Sequence, residues 1–258
     1  MEVFLGTTAR NNRRVLHVAI IVAFAVLAGV YFAALAIDCT MLDRLEREDG
    51  LIETAGAIFF LAAAVGFFAL CLFRLKGGRK ALRGDFRFTL VFGLLAMLMF
   101  VCFGEEISWG QRVFGWNTPG LISDLNAQNE VNLHNLHWVH QWNPDGSEKG
   151  FVGKLVNMNR LFSIFWLVVF VLLPVTARLS ERARRFLENV GMVVPPLWTG
   201  CLFLTSYAVY KVVLFLHAGS IRADALDEIK ETSYAAIYAF IALVAVVAEI
   251  KYRVRPNS

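Results

Sequence analysis

An all-helical, six-span membrane bundle is the fold that this sequence predicts, on three observations. Of 258 residues, 57% are hydrophobic and 18% charged, whereas charged residues alone make up about 25% of an ordinary soluble domain. Six stretches, 15–37, 51–73, 88–108, 161–177, 192–216 and 233–250, approach or exceed the roughly 20 apolar residues that cross about 30 Å of hydrocarbon. Finally, the loops between them alternate between basic and acidic, the asymmetry that sets orientation in a bilayer.

The first stretch follows Arg10, Arg13 and Arg14, so the segment before it is expected in the cytoplasm. Ala34-Leu35-Ala36 resembles a signal-peptidase site. The apolar run before it, however, is longer than the roughly 7–15 residues of a secretory h-region, so a retained span is expected. An acidic loop with Asp38, Asp43, Glu46, Glu48 and Asp49 then leads into the second stretch. Arg74, Lys76, Arg79, Lys80, Arg83 and Arg87 follow it, a second cytoplasmic loop. The third stretch runs outward and closes in "GEEISWGQR". The fourth is the shortest, with Pro174 as a kink, and is followed by Arg178, Arg182, Arg184 and Arg185. Pro195-Pro196 marks the start of the fifth, and an acidic stripe, Asp224, Glu228 and Glu231, precedes the sixth. Lys251, Arg253 and Arg255 close the chain on the basic side. Every loop agrees with both termini inside the inner membrane of a cell. The net charge of +4 is thereby a topology signal, and nucleic acid is not an expected partner.

Residues 1–258 read as one integral membrane domain with one large outer excursion, 113–160. It opens on the turn cluster "GWNTPG", in which Thr118 is placed to cap a helix starting at Pro119. The stretch "PGLISDLNAQNEVNLHNLHWVHQW" has broken helical spacing, and Trp109, Trp116, Trp138 and Trp142 cluster near it. A short interfacial helix lying among lipid headgroups is the expectation. The four cysteines form no CxxC and read as packing residues, with Cys39 and Cys102 both near the outer side. No GxSxG, P-loop or dinucleotide fingerprint is present.

Four polar clusters share the outer face: "EDGLIE", "GEEISWGQR", "NLHNLHWVH" and "DEIKE". Glu53, Glu105 and Glu106 lie near the ends of spans, where an unpaired charge costs roughly 1–3 kcal/mol or more. On a continuous helix Glu105, Trp109 and Arg112 would share one face. Lys211 is a candidate partner within the fifth span, flanked by Tyr207 and Tyr210. The acidic groups outnumber the basic ones, which calls for protonation or a bound cation. His134, His137 and His140 fall within seven residues, and His134 with Glu105 could complete a divalent-metal site of imidazole and carboxylate ligands.

Three of these stretches together, "EDGLIE", "GEEISWGQRVFGWNTP" and "NAQNEVNLHNL", resemble an uncharacterised family of bacterial multi-pass membrane proteins. The match falls on Glu53, Glu105, Glu106, Trp109, Gly110, Gln111, Arg112, Asn129, Glu130, Asn132, His134 and Asn135. His137 and His140 stand outside the shared pattern. The resemblance implies a site without naming a reaction. A looser analogy to membrane hydrolases of the alkaline ceramidase kind fails on span count and on the missing HxxxH pair.

The first functional expectation is an outer-leaflet site for lipid or headgroup, acting as a hydrolase with or without a metal. In it Glu53, Glu105, Glu106 and His134 carry the catalysis. Arg112 would grip a phosphate or carboxylate through its fork, and Trp109, Gln111, Glu130, Asn135, Lys211, Glu228 and Glu231 would complete the binding surface. The alternatives are a non-catalytic assembly protein docking a partner at this face, and a proton-coupled carrier.

Overall fold

A computed structural model describes residues 10–46, 50–75, 82–140, 143–145, 147, 149–190, 192–216 and 222–254. The side chains of 10–13, Cys39, Asp43, Glu46, Arg74, 82–85, Arg112, 222–224, Tyr252 and Val254 fall outside this description. The described residues are helical apart from turns and one isolated antiparallel bridge between Asn126 and Leu136. Six helices are long and apolar enough to cross a bilayer: Arg14–Ala36, Leu51–Phe73, Phe86–Glu106, Met158–Leu179, Leu197–Leu216 and Ala225–Lys251. A helix satisfies its own backbone, which is what hydrocarbon demands. These are spans one to six below.

Span six is the centre of the bundle. Its Tyr234, Ala235, Ile237, Tyr238, Ile241 and Ala242 are all buried, with span two packed on one side and span five on another. The approach to span two is close because Gly66 has no side chain: a Cβ there would lie 2.8 Å from that of Ala242. Small residues at such a crossing let two helices gain contact that lipid would otherwise supply. Span three packs on span two, and span one lies against span five through Tyr31, Ala34, Tyr210 and Val213. The Tyr31 hydroxyl meets Ser206 Oγ at 3.0 Å. Span one thus packs into the bundle.

The fourth span is longer than its apolar run suggested. Its turns at Leu167–Leu172 widen to π-helical geometry just before Pro174. Proline cannot donate to the carbonyl four residues earlier and its ring crowds that oxygen, which here belongs to Phe170. Widening the turns accommodates this ring within the span. On the neighbouring span, a Cβ at Gly200 would lie 2.2 Å from the Phe170 oxygen, so only glycine fits against the widened turn.

Two boundaries differ from expectation. Span five begins at Leu197, because Pro195 and Pro196 keep the preceding residues out of a helix. Span six begins at Ala225, inside a helix running Arg222–Val254, so "DEIKE" is part of the spanning helix. On the opposite side of the bundle, Ser180 caps the short amphipathic helix Glu181–Asn189, accepting from Ala183 N at 3.3 Å. Glu181 pairs there with Arg184 at 2.7 Å and Arg185 at 3.1 Å. Arg253 reaches the Phe73 carbonyl and Arg87 the Asn189 carbonyl, which closes that basic end.

Candidate site at the acidic end of the bundle

Span three ends at Glu106, and the next residues reverse the backbone hand. Ser108, Trp109 and Gly110 have φ of 45°, 53° and 85°. Two successive non-glycine residues in the left-handed region are costly and need support from their surroundings. Support comes from side chains. The Trp109 ring folds back over Gly104, where a Cβ would lie 2.9 Å from it, and its Nε1 donates to Glu105 Oε1 at 2.7 Å. Glu105 and Trp109 therefore meet through a left-handed turn and not along a helical face, and the stripe expected to include Arg112 is broken at this turn. Arg112 itself sits in the backbone of the short helix Gln111–Phe114, its side chain lying outside the described residues.

The other Glu105 oxygen takes the outer excursion. Its Oε2 accepts from Leu133 N at 2.6 Å and His134 N at 3.0 Å, and lies 3.3 Å from His134 Nδ1. Beneath it, Ser108 Oγ donates to Glu130 Oε2 at 2.6 Å and Asn132 Nδ2 to the same oxygen at 2.7 Å. Asn126 Nδ2 donates to Asn132 Oδ1 at 2.9 Å, while Asn126 Oδ1 accepts from Gln128 N at 2.9 Å and Glu130 N at 3.2 Å. Gln111 Oε1 accepts from Val131 N at 2.7 Å and its Nε2 donates to Thr118 Oγ1 at 2.6 Å. Asn135 donates to Gln128.

This clamp corrects several expectations. No helix runs through 124–140; only Gly120–Ser123 is helical, capped by Pro119 without a side-chain bond. The Asn126 side chain bonds its own loop backbone instead, the competition that makes asparagine a poor helix former. Thr118 serves this network, donating to the Asn129 carbonyl, and does not cap a helix. The three histidines share no helical face. Glu130 and Asn135 are buried, and both, with Gln111, hydrogen-bond within this loop network.

A second group gathers at the same end from distant spans. Tyr210 Oη donates to Asp227 Oδ1 at 2.6 Å, and Lys230 Nζ donates to that oxygen at 2.7 Å while standing 3.8 Å from Glu231 Oε1. Lys230 also lies over the Tyr210 ring at 4.9 Å. Asn159, at the start of span four, donates to Glu231 Oε1 at 2.8 Å. Thr232 Oγ1 donates to the Ile52 carbonyl at 2.9 Å. A Cβ at Gly56 would lie 3.2 Å from Thr232 Oγ1 and 3.9 Å from Glu106 Oε2, which brings the ends of spans two, three and six together. Glu53 is half-buried one turn before Gly56, and Glu228 is half-buried one turn before Thr232.

His134 joins the two groups. It is half-buried, held at Nδ1 by Glu105, and lies within electrostatic reach of Glu231. Lys211 does not take part as expected: its ammonium rests over the Tyr207 and Tyr210 rings at 5.5 and 5.1 Å, on the exposed side of span five. Lys230 fills the role expected of Lys211.

Among the described residues, no three His, Cys, Asp or Glu side chains come together as a metal-binding group. His134 and Glu105 make two donors, and the oxygen nearest the imidazole already accepts two backbone N–H groups, so the pair does not fit a divalent metal. Cys102 is a free thiol, and Cys39 lies outside the described side chains.

The chain matches no family model, no curated protein and no solved structure. What fold and site define is a class: a multi-pass helical membrane protein with polar groups from several spans gathered at one end of the bundle.

Proposed function

We propose that this protein binds the polar headgroup of a membrane lipid at its extracytoplasmic end, with His134 as the group that exchanges protons with the bound molecule. The observation that carries this reading is the position of His134. A carboxylate fixes one imidazole nitrogen, leaving the other available, the arrangement that orients a histidine for acid–base work. Glu231 from span six and Glu106 from span three stand at the same end of the bundle.

The construction of the outer excursion supports a lipid ligand. Its interior is polar, with Ser108, Asn126, Glu130, Asn132 and Asn135 buried, while Val113, Phe114, Leu121, Trp138, Phe151 and Val152 are exposed. That is the reverse of a water-soluble loop and suits a segment resting among headgroups and the first acyl carbons. The basic loops at the opposite end favour the cytoplasm there, hence both termini inside and a bacterial inner membrane, in line with the resemblance noted above. The saturated clamp favours a positioning role for Glu105 over direct catalysis. It also supports a second reading, in which the excursion is a rigid docking surface for a protein partner.

The test uses the full chain in nanodiscs of mixed bacterial phospholipids, with retained lipid identified by native mass spectrometry. Wild type is expected to keep a phospholipid through detergent exchange, and His134→Gln and Glu231→Gln to lose it about tenfold more readily, the equivalent of about 1.4 kcal/mol. Lipid retention unchanged in both variants, or absent in wild type, would overturn the proposal in favour of the docking reading.

A further inference from the structure

Among the described residues, four buried side-chain polar atoms have no hydrogen-bond partner, Trp166 Nε1, Trp198 Nε1, Tyr234 Oη and Tyr238 Oη, and those of Trp166, Tyr234 and Tyr238 gather in one place. Their residues are 4%, 1% and 0% exposed, and they come from spans four and six. All three rings pack around Phe203 of span five, at centroid distances of 5.4, 5.6 and 5.0 Å. Trp166 and Tyr234 are 5.7 Å apart, and Tyr238 leans on Phe162 and Phe170, each at 5.6 Å. Elsewhere in the interior Tyr31 has Ser206 and Thr199 has the Pro196 carbonyl, while the Trp198 ring stands apart from the cluster, against Phe240 at 5.7 Å. A buried hydroxyl or indole N–H without a partner is costly anywhere and more so where lipid excludes the solvent.

We infer that this aromatic cluster binds ordered water in the interior of the bundle. All three orphans can donate, and Trp166 Nε1 can do nothing else, so the occupant must offer acceptor oxygens. It must also be small, because the surrounding rings are already in contact. Water meets both demands and completes buried polar groups in this way throughout proteins.

Titratable groups surround the cluster. Tyr238 lies within electrostatic reach of the Cys102 thiol, and Cys102 within reach of Glu105 and Glu106. Tyr234 has the same relation to Glu231 and Tyr31. Tyr238 stands seven residues into span six from Glu231, about 10 Å along a helix rising 1.5 Å per residue. Along span six the cluster therefore begins within about two helical turns of Glu231. The proposed headgroup site is not required for this; the water site stands on the orphaned atoms alone.

Hydroxyl-radical footprinting of the full chain in lipid nanodiscs tests the inference, because radicals generated from bound water oxidise the side chains that touch it. Met99 is 0% exposed and intrinsically more reactive than tyrosine, so it serves as the internal dry control. Tyr234, Tyr238 and Trp166 are expected to oxidise severalfold faster than Met99 despite equal burial. Tyr238→Phe and Tyr234→Phe are expected to lower the melting temperature by about 2–4 °C each, through loss of a made hydrogen bond. Oxidation at the Met99 level, or a melting temperature that stays or rises in both phenylalanine variants, overturns the inference, since deleting a truly unpartnered hydroxyl relieves a cost.

Discussion

The clamp at the end of span three and the Lys230 group are both polar and both near the same end of the bundle, yet they are built in opposite ways. The clamp draws on side chains within one stretch, Glu105 to Asn135, is largely buried, and its acceptors face several donors each. The Lys230 group draws on spans four, five and six, and its acids keep contact with solvent: Asp227 and Glu231 side chains are 50% and 32% exposed. Saturation without water marks a structural device that lets a loop fold in a medium that cannot hydrate its backbone. Partial hydration, with charges offset by distant spans, leaves room for a ligand and for relative movement of the helices.

If that contrast holds, breaking the clamp has the larger effect on stability. Glu105→Ala removes the acceptor for Leu133 N, His134 N and the Trp109 indole at once. It is expected to cost about 3 kcal/mol, the low end for breaking a buried charged network. Glu105→Gln should cost clearly less, because one oxygen survives, although its amide must then face a donor in either orientation. Thermal unfolding in detergent gives the ranking, and limited proteolysis within the excursion shows whether the loop lifts off. Equal tolerance of both changes would make the clamp ornamental and remove the contrast.

Lys230→Met is expected to cost about 1 kcal/mol, since Asp227 keeps the Tyr210 hydroxyl and Glu231 keeps Asn159 as donors once the lysine is gone. A double-mutant cycle with Asp227→Asn isolates the pair. A coupling as large as the loss from Glu105→Ala would place both regions in one class.

Sequence patterning carried the span count and placed Glu53, Glu106 and Glu231 at one end of the bundle, because apolar length and charged-loop bias act over many residues. It did not carry the loop. The broken helical spacing of 119–142 came from Leu121, Leu125 and Leu133, which face outward, while Asn126 and Asn132 direct the backbone through side-chain bonds that no periodicity reports. The choice between two lysines was closer to legible. Along span five, Leu204, Ala208, Lys211 and Phe215 form one exposed stripe and Ser206, Tyr210 and Val213 the buried one. Lys211 therefore lies on the lipid side, and Lys230 reaches the Tyr210 ring from span six. The span-six boundary hid this, since a charged "DEIKE" reads as loop until its lysine is seen neutralised inside the helix.

The smallest effect belongs to a fully hydrated group, which bounds the contrast from the other side. On the helix Glu181–Asn189, hydrogen bonds from Arg184 and Arg185 hold the Glu181 carboxyl below its usual range. A folded-state value lowered in this way gives stability that is present above the unfolded carboxylate pKa of about 4.3 and is lost as the pH falls through the folded value. Lowering the pH from 6 to 3 should therefore loosen this helix, read by hydrogen exchange at Ala183 to Asn189, and Glu181→Gln should remove that pH dependence while leaving the melting temperature at pH 7 almost unchanged. Exposed ion pairs contribute little because water competes for both partners and salt screens them. If Glu181→Gln lowered the melting temperature as much as Lys230→Met does, hydration would not be what separates the Lys230 group from the clamp, and charge count alone would explain the ranking.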